Sequence, residues 1–180
     1  MSFNFKKLEI PGLLLIEPQI FKDERGFFME KYKKTEFEKN GIPDFVQDNY
    51  SYSKFGVVRG LHYQLPPFAQ GKLVTVLKGK VWDVAVDVRK DSAYFGKWVG
   101  VELSDENNSS LYIPPGFAHG FAVLSPEAFF LYKCTSEYSP ARERGIAFND
   151  ETVAVDWKVE SPQLCDRDIK LPRLVEVETF

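Results

Sequence analysis

The stretch KLVTVLKGKVWDVAVDV, residues 72–88, divides at Lys78-Gly79-Lys80 into two runs rich in Val. β-Branched residues suit a pleated, half-buried surface, and Gly supplies the backbone freedom of a tight turn. The segment therefore predicts two strands joined as a hairpin. Other strand-like runs flank it: FFMEKY (27–32), KWVGVEL (97–103), SLYI (110–113), GFAVL (120–124) and FFLYKCT (129–135), separated by clusters of Ser, Asn, Asp, Pro and Gly. Short strands at this even spacing predict an all-β sandwich or barrel. One short helix is expected in TEFEKNG, where Thr35 and Glu38 have the spacing of a capping box and Gly41 is a stop signal. The tail from Glu160 to Phe180 reads as loop, although its CDRD cluster (165–168) concentrates charge.

A chain of 180 residues, 44% hydrophobic and 27% charged, has the size of one domain with a sizeable core. Its net charge of −3 gives no general attraction to nucleic acid or an anionic membrane. A phosphate-bearing ligand must then be held by local cations. The apolar run Leu13–Ile16 is too short for a signal-peptide core or a spanning helix. Cys134 and Cys165 lack CxxC or zinc-ligand spacing and read as reduced thiols, which points to a soluble cytoplasmic protein.

The chain has two histidines. His62, in GVVRGLHYQL (56–65), could be a metal ligand, a proton-transfer base or a polar group within a sheet. His119 stands in IPPGFAHGF (113–121), whose Pro114-x-Gly116-x-x-His119 resembles the second motif of the cupin superfamily of small barrels. The first cupin motif carries His-x-His and then an acidic ligand. Here Gln64 takes the place of the second histidine and Lys72 that of the acid. An ammonium repels a divalent cation and offers it no lone pair, so no metal is expected. The same charge in a dry cavity can instead stabilise an oxyanion. A neutral histidine is suited to removing a proton beside a ketone, and inversion of that centre needs an acid on the opposite face, for which Tyr132 and Tyr138 are candidates. In FFLYKCT, Phe130, Tyr132 and Cys134 share a face opposite Lys133, so Tyr132 is expected to point inward.

The strings DERGFFMEKY, FVQDNYSYS, VVRGLHYQ, QGKLV, VWDVAVDVR, FGKWVGVEL, IPPGFAHGFAVLS and LYKCTSEYSP, in this order, resemble the dTDP-4-dehydrorhamnose 3,5-epimerase family from about Leu8 to Asp168. The resemblance implies a cupin-type jelly-roll barrel with a few short peripheral helices. It implies a single domain over 1–180, with a barrel core at about 45–157 and a site completed by N-terminal strands and the C-terminal tail. A homodimer is implied, with an early strand such as Leu13–Glu17 pairing with the neighbouring subunit, and no cofactor. The implied substrate is dTDP-4-dehydro-6-deoxy-D-glucose, whose C4 ketone acidifies C3 and C5; inversion at both gives dTDP-4-dehydro-L-rhamnose. On this pattern His62 is the base, Lys72 stabilises the enolate, Tyr132 is the acid, and Asp168 orients His62. Arg25, Glu30, Gln47, Asp48, Asn49, Arg59, His119, Tyr138, Glu143 and Arg167 are expected around the substrate, with Tyr138 against the thymine. Arginines 25, 59 and 167 suit a diphosphate, since guanidinium forks pair with its oxygens. The family more often has Lys where Arg167 stands.

Three other readings compete. A single-centre epimerase or a ketoisomerase would share the barrel, a metal-dependent cupin would need the ligands that Gln64 and Lys72 replace, and a non-catalytic sugar-nucleotide-binding module would leave base, cation and acid unexplained.

Overall fold

The computed structural model describes residues 2–180. One antiparallel sheet has the order β1 (Phe3–Lys7), β2 (Leu14–Pro18), β10 (Ser110–Ile113), β7 (Lys72–Lys78), β12 (Glu127–Cys134) and β5 (Gln47–Lys54). The second has the order β13 (Glu143–Gly145), β6 (Val58–Gln64), β11 (Phe117–Val123), β8 (Lys80–Asp87) and β9 (Trp98–Ser104). Their inner faces interlock through Val74, Val76, Leu111, Ile113 and Phe130 on one side and Val81, Ala85, Leu103, Phe117 and Phe121 on the other. This is a jelly-roll barrel. Alternation along each strand puts apolar side chains into that core and frees the polar inward positions for a cleft.

Residues 72–88 do form two strands, yet not a hairpin. β7 pairs with β10 and β12, whereas β8 pairs with β11 and β9 in the opposite sheet. Gly79, with φ +84°, is the corner between them, and a Cβ there would lie 2.1 Å from the Glu127 carbonyl oxygen. A glycine signals a change of direction; it does not say which strand follows alongside.

Other expectations also change. FFMEKY is extended only at its start: β4 (Gly26–Phe28) pairs with β3 (Phe21–Asp23) in a separate exposed ladder, and residues 29–32 leave it. The helix α1 spans Lys34–Lys39 with Lys33 as an N-cap lacking a side-chain cap bond, so Thr35 sits inside the first turn and forms no capping box. Gly41 ends it as expected, at φ +77°. β2 pairs with β1 on one side and β10 on the other, so it has no free edge for a neighbouring subunit. The tail is more ordered than a loop. It carries α2 (Asp166–Ile169) and a 3-10 turn (Leu174–Glu176). Ile146, Val153, Trp157 and Leu174 of the C-terminal region pack on the outer face of the second sheet, against Val58, Leu61, Val84 and Val86.

Candidate active site

A cleft opens between the sheets in two adjoining lobes of about 330 and 370 Å³. Asn49, His62, Lys72, Tyr132 and Arg167 line both. The first lobe adds Gln47, Gln70, Tyr138 and Glu143; the second adds Arg59, His119, Phe121, Phe130 and Asp168.

A local irregularity in β6 brings two of these groups together. Arg59 and His62 are three positions apart and would face opposite sides of a regular strand. The register between β6 and β11 shifts at this point: His119 opposes His62, but Phe121 opposes Arg59. Gly60 absorbs the shift at φ +124°, pressed so closely on β11 that a Cβ would lie 2.5 Å from the Gly120 Cα. Both Arg59 and His62 therefore reach the cleft.

Asp168 ties this bulge to the tail. Its carboxylate accepts the Gly60 N–H at 3.2 Å through Oδ2, and Oδ1 lies 2.8 Å from His62 Nε2. Burial alone would raise the Asp168 pKa; the hydrogen bond and charge of His62, the Gly60 N–H and Arg167 outweigh it and bring the value down to about 2. An ionised carboxylate accepts only, so its 2.8 Å contact is a hydrogen bond only when Nε2 carries the proton, which leaves the Nδ1 lone pair as the basic site; the Arg167 guanidinium, also a donor, approaches the same nitrogen without bonding to it in that tautomer. Arg167 Nη2 lies 3.0 Å from the same nitrogen, and Arg167 is itself held by Glu143 at 3.1 Å and Asp168 at 3.5 Å.

Lys72 opens β7 and is 9% exposed. Its Nζ donates to the His62 carbonyl oxygen at 3.3 Å and sits 6.0 Å from the centre of the Tyr132 ring. Burial pushes its pKa below that of an ordinary lysine. Tyr132 lines both lobes, as the alternation of β12 requires, while Lys133 turns outward to pair with Asp48 at 2.9 Å. Burial raises the Tyr132 pKa, which keeps the phenol protonated. His62 belongs to the second sheet, and Lys72 and Tyr132 belong to the first. A planar ligand between the sheets would thus meet a base from one side and a phenol from the other.

Most of the expected residues gather here, but three do not. Asp48 faces outward with Lys133, because on β5 it alternates with Gln47 and Asn49, which lie on the inward face. Arg25 pairs with Asp23 in the β3–β4 turn with its side chain 85% exposed, and neither it nor Glu30 lines either lobe. Tyr138 stands at the rim, its hydroxyl donating to Glu143 at 2.7 Å and its N–H to Gln47 Oε1 at 2.8 Å.

Asp83 was missed. It is fully buried in β8, and both its oxygens lie 3.0–3.1 Å from His119 Nε2. The signal was present: in VWDVAVDV, Asp83 shares the inward face with Val81 and Ala85, and a carboxylate there needs a buried partner. Gln64, at the cupin ligand position, is saturated by main chain: Nε2 donates to the carbonyls of Phe68 at 2.7 Å and Glu137 at 3.2 Å, and Oε1 accepts the Ser139 N–H at 2.7 Å. Among the described residues, no three His, Cys, Asp or Glu side chains converge as a metal site.

A family model described as dTDP-4-dehydrorhamnose 3,5-epimerase matches residues 7–176. The chain is 54% identical over 179 residues to a protein of that name from Shigella flexneri, covering 98% of this chain and 99% of that one. The crystal structure of a dTDP-6-deoxy-D-glucose-3,5-epimerase from Legionella pneumophila, in complex with dTDP-4-keto-L-rhamnose, is similar with a TM-score of 0.94 and 50% identity, covering 98% of this chain and 95% of that chain. A 3′-monoepimerase from Streptomyces bikiniensis, in complex with dTDP-quinovose, is similar with a TM-score of 0.88 and 35% identity, covering 93% and 86%.

Proposed function

The chain belongs to the dTDP-4-dehydrorhamnose 3,5-epimerase family, and from that premise we propose how the residues of its cleft divide the work. The enzyme is an isomerase. It epimerises C3 and C5 of dTDP-4-dehydro-6-deoxy-D-glucose to give dTDP-4-dehydro-L-rhamnose, in dTDP-L-rhamnose biosynthesis. His62 Nδ1 takes the proton from the carbon beside the C4 ketone, and the electron pair moves onto O4. The Lys72 ammonium stabilises that enolate oxygen. Tyr132 returns a proton to the same carbon from the other face, which inverts it. Asp168 holds the tautomer and supports the imidazolium that forms. Arg59 and Arg167 bind the diphosphate, and Gln47, Asn49, His119, Tyr138 and Glu143 surround the rest of the substrate. The observation that carries this reading is the placement of His62 and Tyr132 on opposing sheets across one cleft.

The catalysed reaction run in D₂O is expected to place deuterium at both C3 and C5, read by proton NMR of the sugar. Label at one carbon only would make the enzyme a single-centre epimerase, and no label would end the carbanion mechanism.

The proposal includes a homodimer and a cytoplasmic location, the latter in keeping with two free thiols. On the outer face of the first sheet, Tyr50, Tyr52 and Leu77 are exposed around Phe129, and the β3–β4 hairpin exposes Phe21, Phe27 and Phe28. Exposed apolar groups of this size support an interface there. The hairpin and the residues that follow it would then carry Arg25 and Glu30 to the other subunit's cleft. Sedimentation at micromolar concentration should give twice the chain mass, and Phe28→Asp should yield a less active monomer; a wild-type monomer with full activity would exclude the arrangement.

A further inference from the structure

Four carboxylates are almost fully buried: Asp83, Asp87, Asp150 and Asp168. Asp87 pairs with Arg89 at 2.6 Å, Asp150 accepts the N–H groups of Thr152, Val153 and Leu174, and Asp168 serves His62. Asp83 has His119 alone. One imidazole N–H shared between two oxygens leaves most of a carboxylate's acceptor capacity unused, and an anion so poorly satisfied persists only where a cation offsets it. Lys72 has the complementary deficit. It is buried, has no carboxylate within 4.0 Å among the described residues, and bonds only to a carbonyl. Lys72 and His119 line the same lobe.

We propose that Asp83, bonded to the His119 imidazole that lines the same lobe as Lys72, is the counter-charge that holds Lys72 as an ammonium at the enolate end of the cleft. This rests on the reading of Lys72 as the enolate-stabilising cation. The titratable and charged groups that line the cleft with Lys72 or act on it include Arg59 and His62 on β6, Asp83 on β8, His119 on β11, Tyr132 and Cys134 on β12, Glu143 on β13, and Arg167 and Asp168 on α2. Cys134 and Glu143 act on Lys72 in the same sense and more strongly than Asp83, but burial keeps the Cys134 thiol neutral and Glu143 is shared with Arg167 and Tyr138, which leaves Asp83 as the buried carboxylate with no cation of its own. Burial pushes Lys72 down and Asp83 up, and the charge of each opposes the displacement of the other. Burial also pushes His119 down, so its imidazole is a neutral donor to Asp83 and leaves the carboxylate its charge. Asp83 is accordingly a positioning residue: it touches no substrate and sets the charge of a group that does.

The sign follows. Removing the Asp83 charge lets the Lys72 pKa fall further, so the alkaline limb of the kcat profile moves to lower pH. Asp83→Asn should shift that limb by about one pH unit, with activity recovering on acidification toward the optimum. Asp87→Asn, an equally buried carboxylate on the same strand, should leave the limb in place. Lys72→Arg, which stays charged throughout, should move the limb upward at reduced rate and serves as the test should Asp83→Asn not fold. A uniform loss in Asp83→Asn with the limb unmoved, the same shift in Asp87→Asn, or an unmoved limb in Lys72→Arg would each overturn the assignment. Failure of the underlying mechanism would show differently, as absence of deuterium exchange in the unsubstituted protein.

Discussion

His62→Asn should lower kcat by roughly 10²–10⁴-fold, the usual contribution of a positioned general base, and leave affinity for dTDP nearly unchanged. The separation follows from the cleft. His62 faces the centre of the cleft from the sheet opposite Lys72 and Tyr132, whereas Tyr138, Glu143 and Gln47 frame the rim. Asn is short of the reacting carbon and has no basic lone pair, but its amide can still donate toward Asp168, so the buried carboxylate is not orphaned. Solvent exchange into C3 and C5 should disappear along with turnover. If dTDP affinity, measured by calorimetry, fell as far as kcat, His62 would be a ligand-holding group and the mechanism would need another base.

Asp168→Asn should be nearly as damaging, with a loss on the order of 10³-fold or more in kcat. An amide can turn its NH₂ toward His62 Nε2, which favours the tautomer protonated on Nδ1 and blocks the nitrogen proposed to act as the base. The Asn oxygen can still accept the Gly60 N–H, so the bulge survives. A variant within tenfold of wild type would show that the tautomer is set elsewhere. The same substitution changes acid stability. Asp168 has its pKa lowered from 3.8 to about 2 in the fold. A depressed carboxylate pKa contributes stability above the unfolded value and loses it as pH falls through the folded one; the contribution here is about 2 kcal/mol. The stability gap between wild type and variant should therefore narrow as pH falls from about 5 to 2, read by denaturant titration.

The parts of this site that follow from period-two geometry were legible in the chain. Tyr132 faces inward because Lys133 cannot, and the same rule excludes Asp48, which the motif FVQDN had carried in alongside Gln47 and Asn49. What escaped depends on contacts distant in sequence. The joint presentation of Arg59 and His62 needs the close passage of Gly60 against Gly120. The turn at Gly79 looks the same from sequence whether β8 folds back on β7 or crosses to the other sheet. The helical placement of Asp168 comes from a tail whose apolar residues are sparse and irregular, and which orders by packing on the sheet. Arg25 and Glu30 lie outside the cleft, on and just beyond an exposed hairpin whose position relative to the barrel no local motif encodes.

Gln64 has a further consequence. Its side chain is a strut that pins three points of main chain, two of them beside Tyr138. Installing histidine there, the single change that would give the cleft the His-x-His of metal-holding cupins, removes the strut and loosens the loop proposed to frame the nucleotide. The intermediate would lose grip on its sugar nucleotide before it gained a usable ligand set, with Lys72 still repelling the ion. Directed evolution of this scaffold toward metal chemistry should therefore need coupled changes at 64, 72 and the 136–139 loop, and single-step libraries at 64 should return only weakened epimerases.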